Sequence, residues 1–300
     1  MKKYGILSKF LNCETRIFLK QRYTPIPKYA QRDIWESVSR DLSLHIIKEG
    51  ESYLNWTPEV ITANDFMLFF KTGDRTTFES AYFKRRSALG SMVMAECVEG
   101  KGRFINKIVD LVWLICEESF WGLPATKTTG KDDTSILPDK EKPVLELFAC
   151  ETGSLMSHTL YLLGEEFDKI SGLIRKRIMV ELEERIISPF LTRDDFMWMG
   201  FGGTIGSLWK VSNWTPWCFS NCLATILLAD IDDERKALAL QKTLKGINNF
   251  LMIYPQDGGC DEGCSYWSRA AGSVFDCLEI FHFVSKGEIN VYDNPLIKAL

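Results

Sequence analysis

The 300-residue sequence has no long apolar run, no strong charge of either sign, little histidine and no internal repeat. Each absence excludes something. The most apolar later piece, CLATILLA at 222–229, is far short of the roughly 20 residues that span a bilayer. The first twenty residues, MKKYGILSKFLNCETRIFLK, interrupt every apolar run with charged or polar groups, so no secretory leader is expected and a cytoplasmic protein without a membrane partner is. A net charge of −4, from 36 basic and 40 acidic residues, offers no global field to collect nucleic acid. An anionic ligand therefore needs a local basic pocket. Of the three histidines, His45, His158 and His282, none lies in a chemistry-bearing motif, and His158 within SLMSHTLYLLG reads as a core or helix-face residue. Without a repeat of fixed period, an α-solenoid is disfavoured.

What the chain has is helical periodicity. Residues 28–49, 56–71, 78–98 and 104–118 carry apolar residues at spacings of three and four. In FINKIVDLVWLICEE at 104–118, Ile105, Ile108, Leu111, Val112 and Ile115 form one wide stripe. Thr57–Pro58 and Lys142–Pro143 suit helix starts, and KTGD at 71–74 suits a helix stop. The pattern resumes at 143–164, 167–188, 219–230, 233–254 and 264–286, while 124–143 and about 191–216 lack it and read as long loops. A 46% hydrophobic content supplies a sizeable core. About ten helices in consecutive pairs, with no convincing strand, predict an all-α fold in a single domain over 1–300. Glycine- and tryptophan-rich insertions at one set of helix ends favour an incomplete α/α toroid whose loops line a cleft.

Most of the nine cysteines lie in apolar helical patterns, Cys97, Cys116, Cys150 and Cys277 among them, and read as buried thiols. Cys218 with Cys222 and Cys260 with Cys264 are each four apart, which superficially suggests a four-thiolate site. Structural zinc more often uses a tighter C-x2-C knuckle, so core and loop thiols are expected, with no metal and no cofactor. Aromatic residues crowd the irregular stretches: EESFWGLPAT at 117–126, FMWMGFGG at 196–203, SNWTPWCFSN at 212–221 and DGGCDEGCSYW at 257–267. Loop aromatics at a cleft stack on the apolar faces of sugar rings. The alternative is that Trp121, Trp198, Trp209, Trp214, Trp217 and Trp267 plug helix ends.

GDRTTFESAYFKRRSAL with AECVEG, WGLPAT, NWTPWCFSN and YPQDGGCDEGCSYW, in this order within roughly residues 22–286, resemble the N-terminal helical domain of the heparinase II/III-like polysaccharide lyases. The resemblance implies an incomplete α/α toroid followed by a C-terminal β-sandwich, which is not expected within this chain because it stops at Leu300. It also implies an anionic, uronic-acid-containing oligo- or polysaccharide partner and β-elimination. That reaction neutralises a carboxylate, removes the C5 proton and protonates the leaving O4. By position in the motifs, Asn213 resembles the carboxylate-binding amide and Tyr266 the catalytic tyrosine.

Around them Trp214, Trp217, Asn221, Glu262, Trp267 and Arg269 are candidate substrate-binding residues, as are Arg85, Arg86 and Trp121. Read from the residues alone, Trp267, Ala270, Ala271, Val274 and Leu278 form a buried stripe, which sets Tyr266, Arg269 and Ser273 on a neighbouring face. Arg269 at i+3 can supply a cation to Tyr266, and Glu262 at i−4 opposes it unless it meets sugar hydroxyls or pairs with Arg269. In the loop, Gly258, Gly259 and Gly263 permit tight turns while Asp257 and Asp261 fix the loop or cap the helix. Lys84, Arg85 and Arg86 are the clearest basic cluster and would either meet an anionic sugar or form a solvated face. Two positions depart from the family: Thr126 stands where many relatives have histidine after WxxPA, and Ser212–Asn213 where a doubled asparagine is frequent. The rivals are an α/α-toroid glycoside hydrolase, which needs two carboxylates at the scissile bond, and a non-catalytic carbohydrate-binding domain.

Overall fold

The computed structural model describes residues 5–11, 14–127, 135–201, 211–260 and 262–300, and every regular element among them is helical. The principal helices are α1 (Arg40–Glu51), α2 (Ala63–Thr72), α3 (Thr76–Glu99), α4 (Ile105–Glu117), α5 (Leu147–Ile170), α6 (Gly172–Leu182), α7 (Trp214–Leu228) and α8 (Asp233–Ile253). The chain closes with α9 (Cys264–Trp267), a π turn (Ser268–Gly272), α10 (Ser273–Val284) and α11 (Pro295–Ala299). Two compact units emerge: unit 1 is Met1–Tyr23, Leu145–Glu151 and Ile186–Leu300, and unit 2 is Thr24–Val144 and Thr152–Arg185. Among the described residues no helix is long and apolar enough to cross a membrane.

Local chemistry decides where the helices begin and end. The pattern expected over 28–49 is broken, because Ser39 is extended (ψ 144°) between Arg32–Glu36 and α1. Helix α2 starts at Ala63, beyond Pro58, because Thr62 and Asp65 close a capping box there. Gly73, left-handed at φ 78°, stops it as KTGD predicts. The two helices expected at 143–164 and 167–188 divide instead at Ser171, whose side chain accepts from Leu173 N–H (3.2 Å) and starts α6.

In unit 2, α1 and α3 approach through Gly50, where a Cβ would sit 2.4 Å from that of Ala95. The stripe read from α4 is buried: Ile108, Leu111, Val112 and Ile115 are all inaccessible, as are Ala88, Leu89 and Met92 of α3. A fully buried carboxylate, Glu96, holds the turn between α3 and α4 by accepting from Gly102 N–H (2.6 Å), Phe104 N–H (3.1 Å) and the Tyr29 hydroxyl (3.0 Å). Burial and this carboxylate push the Tyr29 phenol up to about 12.

In unit 1, α7 packs on α8 and α10. Its approach to α8 depends on Gly246, where a Cβ would meet the buried Phe219 ring at 2.0 Å. Lys242 of α8 is itself buried and donates to the carbonyls of Phe190 and Arg193, 2.6 Å each, while pairing with Asp194. Gly246→Ala is therefore expected to lower stability in thermal denaturation by about 1–3 kcal/mol through overpacking. Gly172→Ala, at a position with nothing within 4 Å, is the control and should leave the midpoint unchanged or raise it.

Candidate functional site

The candidate site lies in unit 1, where α7 packs on the π turn that follows Tyr266. Asn213 is the N-cap residue of α7. The start of the helix is fixed by Thr215, whose hydroxyl donates to Trp198 O (2.6 Å), and by Trp217 N–H, which donates to Asn213 O (3.2 Å). Asn213 is 5% exposed, and its side-chain oxygen has no hydrogen-bond partner among the described residues. A buried unpaired acceptor costs about 1–3 kcal/mol, which a ligand donor would recover. One turn along, Trp217 is buried edge-on to Phe148.

Glu151, in the first turns of α5, joins this helix to the next element of the site. Its Oε1 accepts from Trp217 Nε1–H (2.8 Å) and from Arg269 Nη1 (3.0 Å). The Arg269 guanidinium lies 4.2 Å from the centroid of the Trp217 ring, so one carboxylate orients both members of a cation–π pair. Arg269 belongs to the π turn that follows α9. π turns are frequent at functional sites because the added residue re-aims side chains. Here Arg269 is committed to Glu151 and Trp217, while the Tyr266 hydroxyl, on a residue 47% exposed, makes no hydrogen bond among the described residues.

The loop before α9 presents these groups. Gly258 (φ 78°) and Gly263 (φ 85°) are left-handed, and Asp257 accepts from Gly259 N–H (3.0 Å). Asp261 lies outside the described residues. Glu262 is exposed on this loop. Of the stripe read for this helix, Ala270, Ala271, Val274 and Leu278 are buried, whereas Trp267 is 49% exposed. The π turn between Trp267 and Val274 shifts the helical register and takes the indole off the stripe. Trp267 instead lines a cavity of about 480 Å³ with Phe275, Tyr292 and Ile297.

The other candidate residues divide by burial. Trp214 and Asn221 are half-buried, with the Asn221 amide donating to Trp217 O (2.9 Å). Trp198 and Trp121 are buried and plug helix ends, and Trp209 lies outside the described residues. Trp121 belongs to unit 2, its indole N–H donating to Ile115 O (2.8 Å). Arg85 and Arg86, also in unit 2, share the Glu118 carboxylate at 2.9 Å each, and Arg86 lies 3.5 Å over Tyr82. This basic pair is an ion-paired core feature, with neither member on a solvated face.

The thiols follow burial as well. Cys218 and Cys222 are buried on α7, with Cys222 Sγ 3.5 Å from Cys150 Sγ, whereas Cys264 is exposed. Burial raises the thiols of Cys218, Cys222 and Cys277 well above the usual range. Among the described residues no group of three or more His, Cys, Asp or Glu side chains is placed to hold a metal ion. His158 is packed within α5, its Nδ1 2.8 Å from Ser154 O, and burial lowers its pKa.

Glu151 is the site residue that sequence reasoning missed. It lies in an apolar helical stretch, ACETG, far in sequence from both partners, and only tertiary structure reveals the convergence. In comparisons with known proteins, no family model matches the chain and no curated protein matches it.

The clamp makes a separable prediction. Glu151→Ala leaves the indole N–H of a buried tryptophan unpaired and should cost about 1–3 kcal/mol in urea unfolding. Glu151→Gln, which keeps the accepting oxygen, should lose clearly less. Equal losses for the two variants would show that the negative charge, not the shared acceptor, holds the cluster.

Proposed function

We propose that the helices form an incomplete α/α toroid and that the protein acts on uronic-acid-containing oligo- or polysaccharides by β-elimination. The observation that carries the reading is the nearly buried amide of Asn213, whose oxygen is unmatched among the described residues, one turn from the Trp217–Arg269 pair. A sugar hydroxyl would satisfy its oxygen. Rotation of the amide by half a turn would instead aim its N–H donors at a uronate carboxylate, where they stabilise the charge that develops as the C5 proton leaves. The exposed Tyr266 hydroxyl, free of protein partners among the described residues, is the proton-transfer group at C5 and at the leaving O4. Trp217, held edge-on by Phe148 and capped by Arg269, gives the site a rigid wall.

Hydrolysis by two flanking carboxylates is less well supported. Of the acids around the site, Glu151 has both of its hydrogen bonds committed to protein donors.

The test is ultraviolet absorbance of the unsaturated uronate product on a panel of uronate polysaccharides. Tyr266→Phe removes one hydroxyl, so turnover should fall about 10²–10⁴-fold with the melting temperature unchanged. Asn213→Ala should lower the rate on the order of 10²–10³-fold through loss of one hydrogen-bond donor to the carboxylate. Saccharide cleavage without the absorbance would favour hydrolysis, binding without cleavage a carbohydrate-binding role, and a near-parent rate in Tyr266→Phe would show that another group transfers the proton.

A further inference from the structure

The electrostatics of the same site bear on which uronate chain it takes. A sulfated polysaccharide carries closely spaced anions, and its recognition depends on guanidinium and ammonium groups with charge to spare. Among the described residues, Arg269 is the cation that contacts Trp217 at this site, and Glu151 neutralises it at 3.0 Å. A second acid, Asp276, lies two helical turns further along within electrostatic range of Arg269. A third, the exposed Glu262, precedes Tyr266 by four residues. Arg269, Glu151 and Asp276 together carry a formal charge of −1. The group best placed to meet a sugar carboxylate, Asn213, is a neutral amide.

We infer that the site selects carboxylated, unsulfated uronate chains over sulfated ones, with Glu151 as the residue that sets this preference. The inference rests on the lyase reading above. A single carboxylate held by an amide needs no surplus positive charge, whereas each added sulfate would be brought towards the Glu151 and Asp276 carboxylates, where the one arginine among the described residues of the site, Arg269, is already paired. Arg269 keeps its place against Trp217 and contributes directed N–H donors more than net field.

The experiment is calorimetric binding to the full chain, using Tyr266→Phe to suppress turnover. The probes are an unsulfated hyaluronan oligosaccharide, a heparin oligosaccharide of equal length and a neutral cello-oligosaccharide, each at two salt concentrations. The expected result is that hyaluronan binds more tightly than heparin and loses little affinity with added salt, since few charges are engaged. Adding Glu151→Gln should preserve the geometry and raise heparin affinity about fivefold, the order of one exposed charge interaction, while hyaluronan affinity changes less. Asp276→Asn is the second variant, with a smaller shift in the same direction and no role in the clamp.

Heparin binding more tightly than hyaluronan, with steep salt dependence, would overturn this inference and leave the lyase reading standing. No change in selectivity in either acid variant would remove Glu151 from the role. Binding of the neutral oligosaccharide as tightly as both uronate probes would defeat the lyase reading itself, and this inference with it.

Discussion

One carboxylate oxygen organises the candidate site. Glu151 Oε1 receives the indole N–H of Trp217 and a guanidinium N–H of Arg269, and these belong to α7 and to the π turn, which also pack on each other and meet through the Arg269–Trp217 cation–π contact. Two charge-assisted or polar hydrogen bonds at one atom fix two side chains relative to each other, which apolar packing does less specifically. Asn213 and Tyr266 sit one turn from these anchored residues, so the position of the groups proposed for chemistry follows from the clamp. A strained or irregular segment is tolerated where its surroundings over-determine it, and the π turn carrying Arg269 is held in this way.

Unit 2 uses the same device for structure alone. Glu96 gathers two backbone N–H groups and a phenol, and Glu118 gathers two arginines, each carboxylate buried and matched by several donors. Buried charge survives in a protein only with such matching. The consequence for function is that a basic cluster conspicuous in sequence, Arg85 and Arg86, is turned inward, with both guanidiniums bonded to Glu118 and side chains no more than 10% exposed, so it offers no surface to an anionic ligand. At the site of unit 1 the same matching leaves Arg269 neutralised by Glu151, and the nearly buried amide of Asn213 adds no charge.

The sequence made much of the helical skeleton legible, because the apolar stripe of α4 and the glycine stop of α2 are local signals. Helix starts at Ala63 and Leu147 were less visible, since Pro58 and Pro143 are permissive starts that the capping of Thr62 and the surroundings of Glu146 override. Of the site, the neighbourhood of Asn213 and Trp217 and the turn residues before Tyr266 could be read from motif and spacing. The clamp could not, because Glu151 lies 66 residues from Trp217 and 118 from Arg269, a convergence that no periodicity encodes. Trp267 was placed on the buried stripe because periodicity assumes an unbroken α-helix, and a π turn is invisible to that assumption.

The most direct test is the crystal structure of the Tyr266→Phe protein with an unsulfated uronate oligosaccharide bound. A uronate carboxylate should lie within hydrogen-bond distance of the Asn213 amide, with the sugar against the Trp217–Arg269 pair and both Glu151 hydrogen bonds intact. An oligosaccharide seated elsewhere, or one that displaces Arg269 from Glu151 to pair with it directly, would contradict the account.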